Sequence, residues 1–165
     1  QLISLLEQND MTIKISNNKS RIKFEMDKGV LISKVIDGRF PDYNKVIPKD
    51  NNKTLQIKLD EFKNSIERVT TVSADRKEGL KLSISKDTVQ LSVSNPTSGE
   101  GIENISAKFN AENLNISFNS RYLTDIASQI ENDSIIINFK DAGSPVLISD
   151  LSDKNSFHVV MPMKI

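Results

Sequence analysis

Short stretches of strict apolar–polar alternation recur along the chain. They run through Thr12-Ile13-Lys14-Ile15, Arg21-Ile22-Lys23-Phe24, Leu80-Lys81-Leu82-Ser83-Ile84, Val89-Gln90-Leu91-Ser92-Val93 and Leu114-Asn115-Ile116-Ser117-Phe118. A period of two puts every apolar side chain of a strand on one face, which predicts antiparallel strands in a sheet covered on one side. Polar clusters at Asn17-Asn18-Lys19, Lys86-Asp87 and Ala111-Glu112-Asn113 separate them and suit hairpin turns. Two other stretches switch to helical spacing. In the first, Phe62, Ile66 and Val69 share a face, Asp60 is placed as N-cap, and Lys63, Asn64, Glu67 and Arg68 lie opposite. In the second, Asn119 is placed as N-cap and Tyr122, Leu123, Ile126 and Ile130 form the buried stripe. Arg121, Thr124, Asp125 and Ser128 then face outward. A third, truncated helix is predicted over Gln1 to Gln8, with Leu2, Leu5 and Leu6 apolar. Helices packed on one face of an antiparallel sheet define an α+β fold.

The pattern repeats. Residues 1–36 read as a helix end followed by strands at 11–16, 20–25 and 30–36. Residues 122–163 read as helix 122–131 and strands 134–139, 145–149 and 156–162. Leu2, Leu5 and Gln8 align with Leu123, Ile126 and Gln129, and Ile13 and Ile15 with Ile135 and Ile137. On this reading the chain starts inside one copy and holds a second copy whole. Between them, the segment from Gly38 to Pro48 has a glycine and two prolines and suits an extended connector. The expected division is 1–47 and 48–165.

Composition removes most chemistry. The 165 residues hold 22 Lys plus Arg against 22 Asp plus Glu, so no bulk positive charge is available to grip nucleic acid. Cysteine is absent, which excludes disulfides, thiolate nucleophiles and Cys-based metal sites. His158 is the single histidine, and it sits in a strand pattern. A Ser–His–Asp hydrolase would have to use it, but a packed or solvated strand histidine fits the pattern better. No phosphate-binding glycine loop or dinucleotide fingerprint occurs, and apart from the adjacent Asp60 and Glu61 the acidic residues fall singly. No apolar run approaches the roughly 20 residues of a membrane span. The expectation is a cytoplasmic, non-membrane, non-catalytic domain without cofactor or metal. The final Val159-Val160-Met161-Pro162-Met163-Lys164-Ile165 is open to two readings. Its methionines either close the core or present a polarisable surface for varied apolar peptides.

Several motifs then occur in a fixed order. Gly38-Arg39-Phe40-Pro41-Asp42-Tyr43 is followed by Val46-Ile47-Pro48, then Ser94-Asn95-Pro96, then Phe118-Asn119 with Tyr122-Leu123, then Val160-Met161-Pro162-Met163. In these the whole chain resembles the bacterial β sliding clamp, the processivity subunit of replicative DNA polymerase. The resemblance implies repeated domains with sheets on the outside and two helices on the inner face. Residues 1–47 would be the last part of the middle domain and 48–165 the complete C-terminal domain. It implies a head-to-tail homodimeric ring that encircles double-stranded DNA without reading sequence. Lys63, Arg68 and Arg121 would be the DNA-facing candidates. It implies a hydrophobic pocket for short peptides from the DNA polymerase III alpha subunit, the clamp loader and other clamp-motif proteins. The pocket residues would be Pro41, Lys45, Val46, Asn119, Tyr122, Pro145, Val159, Val160, Met161, Pro162, Met163, Lys164 and Ile165. Lys45 and Lys164 stand where arginine is common, and Lys77 stands at a rim position often aromatic or arginine. At the subunit contact, Thr71 and Val72 would supply apolar contact, and Glu100 and Glu103 acidic partners. The alternative is a generic β-rich protein-interaction domain with no DNA role.

Overall fold

A computed structural model describes residues 2, 12–27, 29–39, 42–73, 79–150, 152–153 and 156–164. Apart from Leu2, the predicted first helix lies outside the described residues, as do Pro41, Lys77 and Ile165. The chain divides into two compact units, residues 1–42 and 43–165.

In the first unit, β1 (Lys14–Asn17), β2 (Arg21–Met26) and β3 (Gly29–Lys34) form an antiparallel meander. The first turn is set by Asn18, whose Oδ1 accepts from the backbone N–H of Ser20 at 2.9 Å and of Arg21 at 2.8 Å. The register places Ile15, Phe24 and Leu31 side by side on one face. The neighbouring Lys23 and Glu25 form an ion pair of 2.6 Å on the other. The outer strands differ from expectation at their ends. Thr12 and Ile13 precede the first strand, and the third stops at Lys34 rather than residue 36.

The second unit is built on eight strands. They are β4 (Lys53–Lys58), β5 (Gly79–Ile84), β6 (Thr88–Asn95), β7 (Gly99–Phe109), β8 (Leu114–Asn119), β9 (Ser134–Phe139), β10 (Val146–Asp150) and β11 (Phe157–Val160). Helix α1 (Leu59–Thr70) follows β4, and α2 (Ser120–Ala127) follows β8. The spatial order is β11-β10-β9-β4-β7-β6-β5-β8, antiparallel throughout. The long β7 joins two halves: residues 99–106 pair with β6, and 107–109 with β4. The consecutive meander β9-β10-β11 repeats the strand connectivity of β1-β2-β3.

The core follows from the register. Phe109, Leu55, Ile137 and Ile148 form one lateral row, Leu91, Leu82 and Ile116 form a second, and Leu80 lies opposite Phe118. All are buried, and Phe109 meets Phe139 edge-on with centroids 6.3 Å apart. Phe62, Ile66 and Val69 of α1 bury onto β4, β6 and β7, while Leu123 and Ala127 of α2 complete the core beside β8 and α1. Burying a Leu, Ile or Phe side chain contributes about 1.5–3 kcal/mol each, so this layer dominates the stability of the unit.

Four expectations are corrected. The N-cap of α1 is Lys58, which makes no side-chain cap bond. Asp60 falls inside the first turn, where its charge still favours the helix N-terminus. The second helix spans Ser120–Ala127 rather than 122–131. Ser128 Oγ bonds the Asp125 carbonyl at 2.6 Å, and Asp150 Oδ2 accepts the Glu131 N–H at 2.8 Å, so the chain leaves the helix there. Tyr122 is not part of the buried stripe, which runs through Ser120, Leu123 and Ala127. Finally, the connector contains a 3-10 turn at Tyr43–Lys45, closed by the N–H groups of Val46 and Ile47 on the Tyr43 carbonyl at 2.9 and 3.2 Å.

Asp150 ties this exit from α2 to the end of β10. It accepts from the Ser152 hydroxyl at 2.6 Å, the Glu131 N–H at 2.8 Å and the Ser152 N–H at 2.8 Å. These bonds, the Ser152 hydroxyl first, hold its carboxyl below the usual carboxylate value. A depressed folded value contributes stability that is present above the unfolded value, about 3.9, and lost as pH falls through the folded one. Asp150→Asn is therefore expected to lower the thermal midpoint at neutral pH, with the gap to wild type closing below about pH 4. A gap that stays constant from neutral to strongly acidic pH would contradict this role.

Candidate functional site

The junction of β8 and α2 is set by Asn119. Its backbone is extended, and its Oδ1 accepts the Arg121 N–H at 2.9 Å, the expected N-cap. Ser120 and Leu123 turn inward, so Tyr122 is left on the outside of the first turn, 57% exposed.

The end of the chain reaches this junction from the opposite end of the sheet. Val160 pairs with Val146 and is buried. Pro162 has no N–H and cannot extend a ladder, and the chain leaves β11 after Val160. The Met163 N–H then donates to the Ser117 carbonyl at 2.7 Å, on β8 two residues before Asn119. The far ends of the strand order are thereby bridged by the terminal segment. It brings Met161, 60% exposed, and Met163, 37% exposed, alongside the strand that ends in Asn119. Val159 and Pro162 are half-buried, and Lys164 is exposed. Pro145 precedes β10, and its carbonyl accepts from Asn51 Nδ2 at 3.0 Å. Lys45 lies in the 3-10 turn, followed by Val46, 50% exposed.

Where the terminal segment meets β8, the exposed side chains Met161 and Met163 are apolar and polarisable, and the Asn119 amide and Tyr122 phenol follow at the end of that strand. This surface suits capture of an apolar segment rather than bond chemistry. Among the described residues no three His, Asp or Glu side chains gather as metal ligands. An open concavity of about 530 Å³ lies elsewhere, lined by Thr54, Gln56, Lys86, Asp87, Lys108, Phe109 and Asn110. No local pattern announces the Met163–Ser117 bond, because it joins positions 46 residues apart and follows only from the curl of the sheet.

The three cations expected to face DNA stand in different settings. Lys63 is half-buried and in no ion pair among the described residues. Arg121 lies 3.9 Å from Asp125. Arg68 donates from Nε to Glu103 Oε2 at 3.0 Å and from Nη2 to Glu103 Oε1, so its charge is matched within the unit. That pairing lowers the Glu103 carboxyl and raises the guanidinium. Helix α1 as a whole carries Asp60, Glu61 and Glu67 against Lys63 and Arg68. Of the expected subunit-contact residues, Thr71 is exposed with its hydroxyl on the Arg68 carbonyl at 2.7 Å, and Val72 packs partly on the core. Glu100 and Glu103 are three residues apart in one strand, so they lie on opposite faces of the sheet.

With this geometry in place, the relatives are informative. A family model described as the DNA polymerase III beta subunit, C-terminal domain, matches residues 44–164. The beta sliding clamp of Caulobacter vibrioides is 35% identical over 161 residues, covering 98% of this chain and 43% of that protein. The Escherichia coli beta sliding clamp is 27% identical over 165 residues, 100% of this chain and 45% of that protein. Among solved structures, a Bartonella birtlesii sliding clamp bound to griselimycin is 37% identical, with a TM-score of 0.80 over 93% of this chain and 41% of that one. A Pseudomonas aeruginosa sliding clamp has a TM-score of 0.81 over 99% of this chain and 45% of that one, at 27% identity. The fold is therefore the α+β sliding-clamp fold. The chain belongs to the beta sliding clamp family, the beta subunit of DNA polymerase III, and spans 43–45% of the length of these curated relatives. No helix among the described residues is long and apolar enough to cross a membrane.

Proposed function

We propose that this chain is the C-terminal portion of a non-catalytic processivity clamp, acting in the cytoplasm. Residues 1–47 belong to the end of a middle domain, and 48–165 form the C-terminal domain. Two complete protomers close head to tail around double-stranded DNA. The clamp tethers the DNA polymerase III alpha subunit, the clamp loader and other motif-bearing partners through a shared apolar groove. On this reading the groove takes Lys45, Val46, Asn119, Tyr122, Pro145 and 159–164, while Pro41 and Ile165, outside the described residues, are named for it by resemblance alone. The observation that carries this reading is the Met163–Ser117 hydrogen bond, which seats an exposed apolar terminus beside the Asn119–Tyr122 junction. Peptides with apolar anchors dock by filling such a groove, with a few polar groups fixing their direction.

DNA contact is proposed to be sparse. Lys63 and Arg121 are the candidates for it, and Arg68 is matched by Glu103. Sliding needs no tight phosphate grip, because a closed ring is retained by topology and local cations need only keep the duplex centred. The subunit contact is proposed at Thr71, Val72, Glu100 and the adjacent edge of β7, where an incoming strand extends the sheet. The generic interaction domain shares the groove and lacks the ring.

The groove is tested by calorimetric titration of the full-length protein with a linear peptide carrying a clamp-binding motif. Saturable binding that competes with a second such peptide is expected. Absence of binding would contradict the proposed groove.

A further inference from the structure

Outside the peptide groove, the last turns of α1 are fastened to β7 by two contacts. Strand parity places Gly101, Glu103 and Ile105 on the helix side of the sheet and Glu100, Ile102 and Asn104 on the outer side. At Gly101 a Cβ would stand 2.7 Å from the Val69 carbonyl oxygen and 3.1 Å from its Cα, so glycine lets the strand run this close to the helix backbone. Two residues on, the Arg68 fork grips both oxygens of Glu103, and its Nη2 also donates to the buried Ser65 hydroxyl at 3.2 Å. A planar guanidinium bound bidentately fixes direction as well as distance.

The same stretch of β7 is open on one side. Residues 99–106 pair with β6, while β4, on the other side, pairs only with 107–109. Among the described residues no strand covers that edge, and Ile102 beside it is 54% exposed. Two glycines in its first three residues make this a soft strand, held by one ladder. A docking edge that must be ordered at the moment of binding loses affinity to that ordering, so a brace to a rigid helix favours the contact.

We infer that Arg68 is a positioning residue for this edge: by holding Glu103 it fixes β7 in the conformation that receives a strand from a second, complete protomer. The inference rests on the subunit-contact reading given above. It changes the chemistry expected of the partner strand. Glu103 is neutralised from within its own unit and lies on the helix side, so the incoming strand needs one cation opposite Glu100 and an apolar residue over Ile102.

The test is the dimer dissociation constant of the full-length protein, measured by analytical ultracentrifugation. Arg68→Met and Glu103→Gln are each expected to raise it about fivefold, the scale of a partly exposed ion pair. The double variant should be no weaker than either single, because both remove one contact. The exchange R68E/E103R should recover most of the wild-type affinity, and amide exchange at 100–106 should quicken in monomeric Arg68→Met while the centre of α1 stays protected. If Arg68→Met does not fold, Arg68→Lys, which keeps the charge and loses the fork, should give an intermediate constant. Additive single effects, an exchange variant as weak as the singles, or a Lys variant equal to wild type would each overturn the inference. Ile102→Asp should weaken the dimer however Arg68 acts. If it does not, the subunit-contact reading itself fails.

Discussion

Replacing Phe62 by alanine is expected to destabilise the second unit by about 3–5 kcal/mol, measured by chemical denaturation. Phe62 is fully buried on α1, where the helix packs on β4, β6 and β7. Those strands are where the two halves of the sheet join, and β7 contacts β4 through only three paired residues, 107–109. A cavity there cannot be filled by collapse of one half without moving the other, so the cost should fall at the high end for a large-to-small change. A loss below about 1 kcal/mol would mean that the join is maintained by the strand ladders rather than by the helix.

The second large effect concerns binding. Alanine at Met163 or at Tyr122 is expected to weaken peptide capture by about 1–3 kcal/mol in the full-length protein, with the fold retained. Both side chains are exposed, so little core packing is lost, and the Met163 N–H that bonds Ser117 is a backbone group that survives the change. Deleting residues 161–165 removes that bond as well and should abolish most of the affinity. Calorimetry with unchanged affinity in both single variants would remove the terminal segment from the groove.

Legibility in the sequence followed the range of the interactions. Strands with clean alternation, such as β5, β6 and β8, lie where the pattern put them, because their register is dictated by one buried face. The Asn119 cap was legible for the same reason: it is a local bond between a side chain and an N–H two residues on. β4 is hard to see in the sequence although Leu55 and Ile57 alternate, since lysines bracket it and it runs straight into α1 with no turn. Tyr122 has helical spacing to Ile126 and Ile130 yet lies outside, because the helix begins at Ser120 and Leu123 and Ala127 set the inward face. The Arg68–Glu103 fork joins residues 35 apart, and no periodicity announces it. It is also why a cation read as facing DNA proves to be matched within its own domain. The motifs around Asn119 and Met161–Met163 named the groove residues by resemblance, but their adjacency depends on the curl of an eight-stranded sheet.

The central proposal is that this chain is part of a ring retained on DNA by topology. The direct measurement loads the full-length protein onto closed circular DNA, removes free protein by gel filtration, and then linearises half of the sample. Co-elution with the closed circles, persisting in high salt, and release from the linear molecules are expected. Equal retention on both forms, lost as salt rises, would show a charge-dependent binder and contradict the ring.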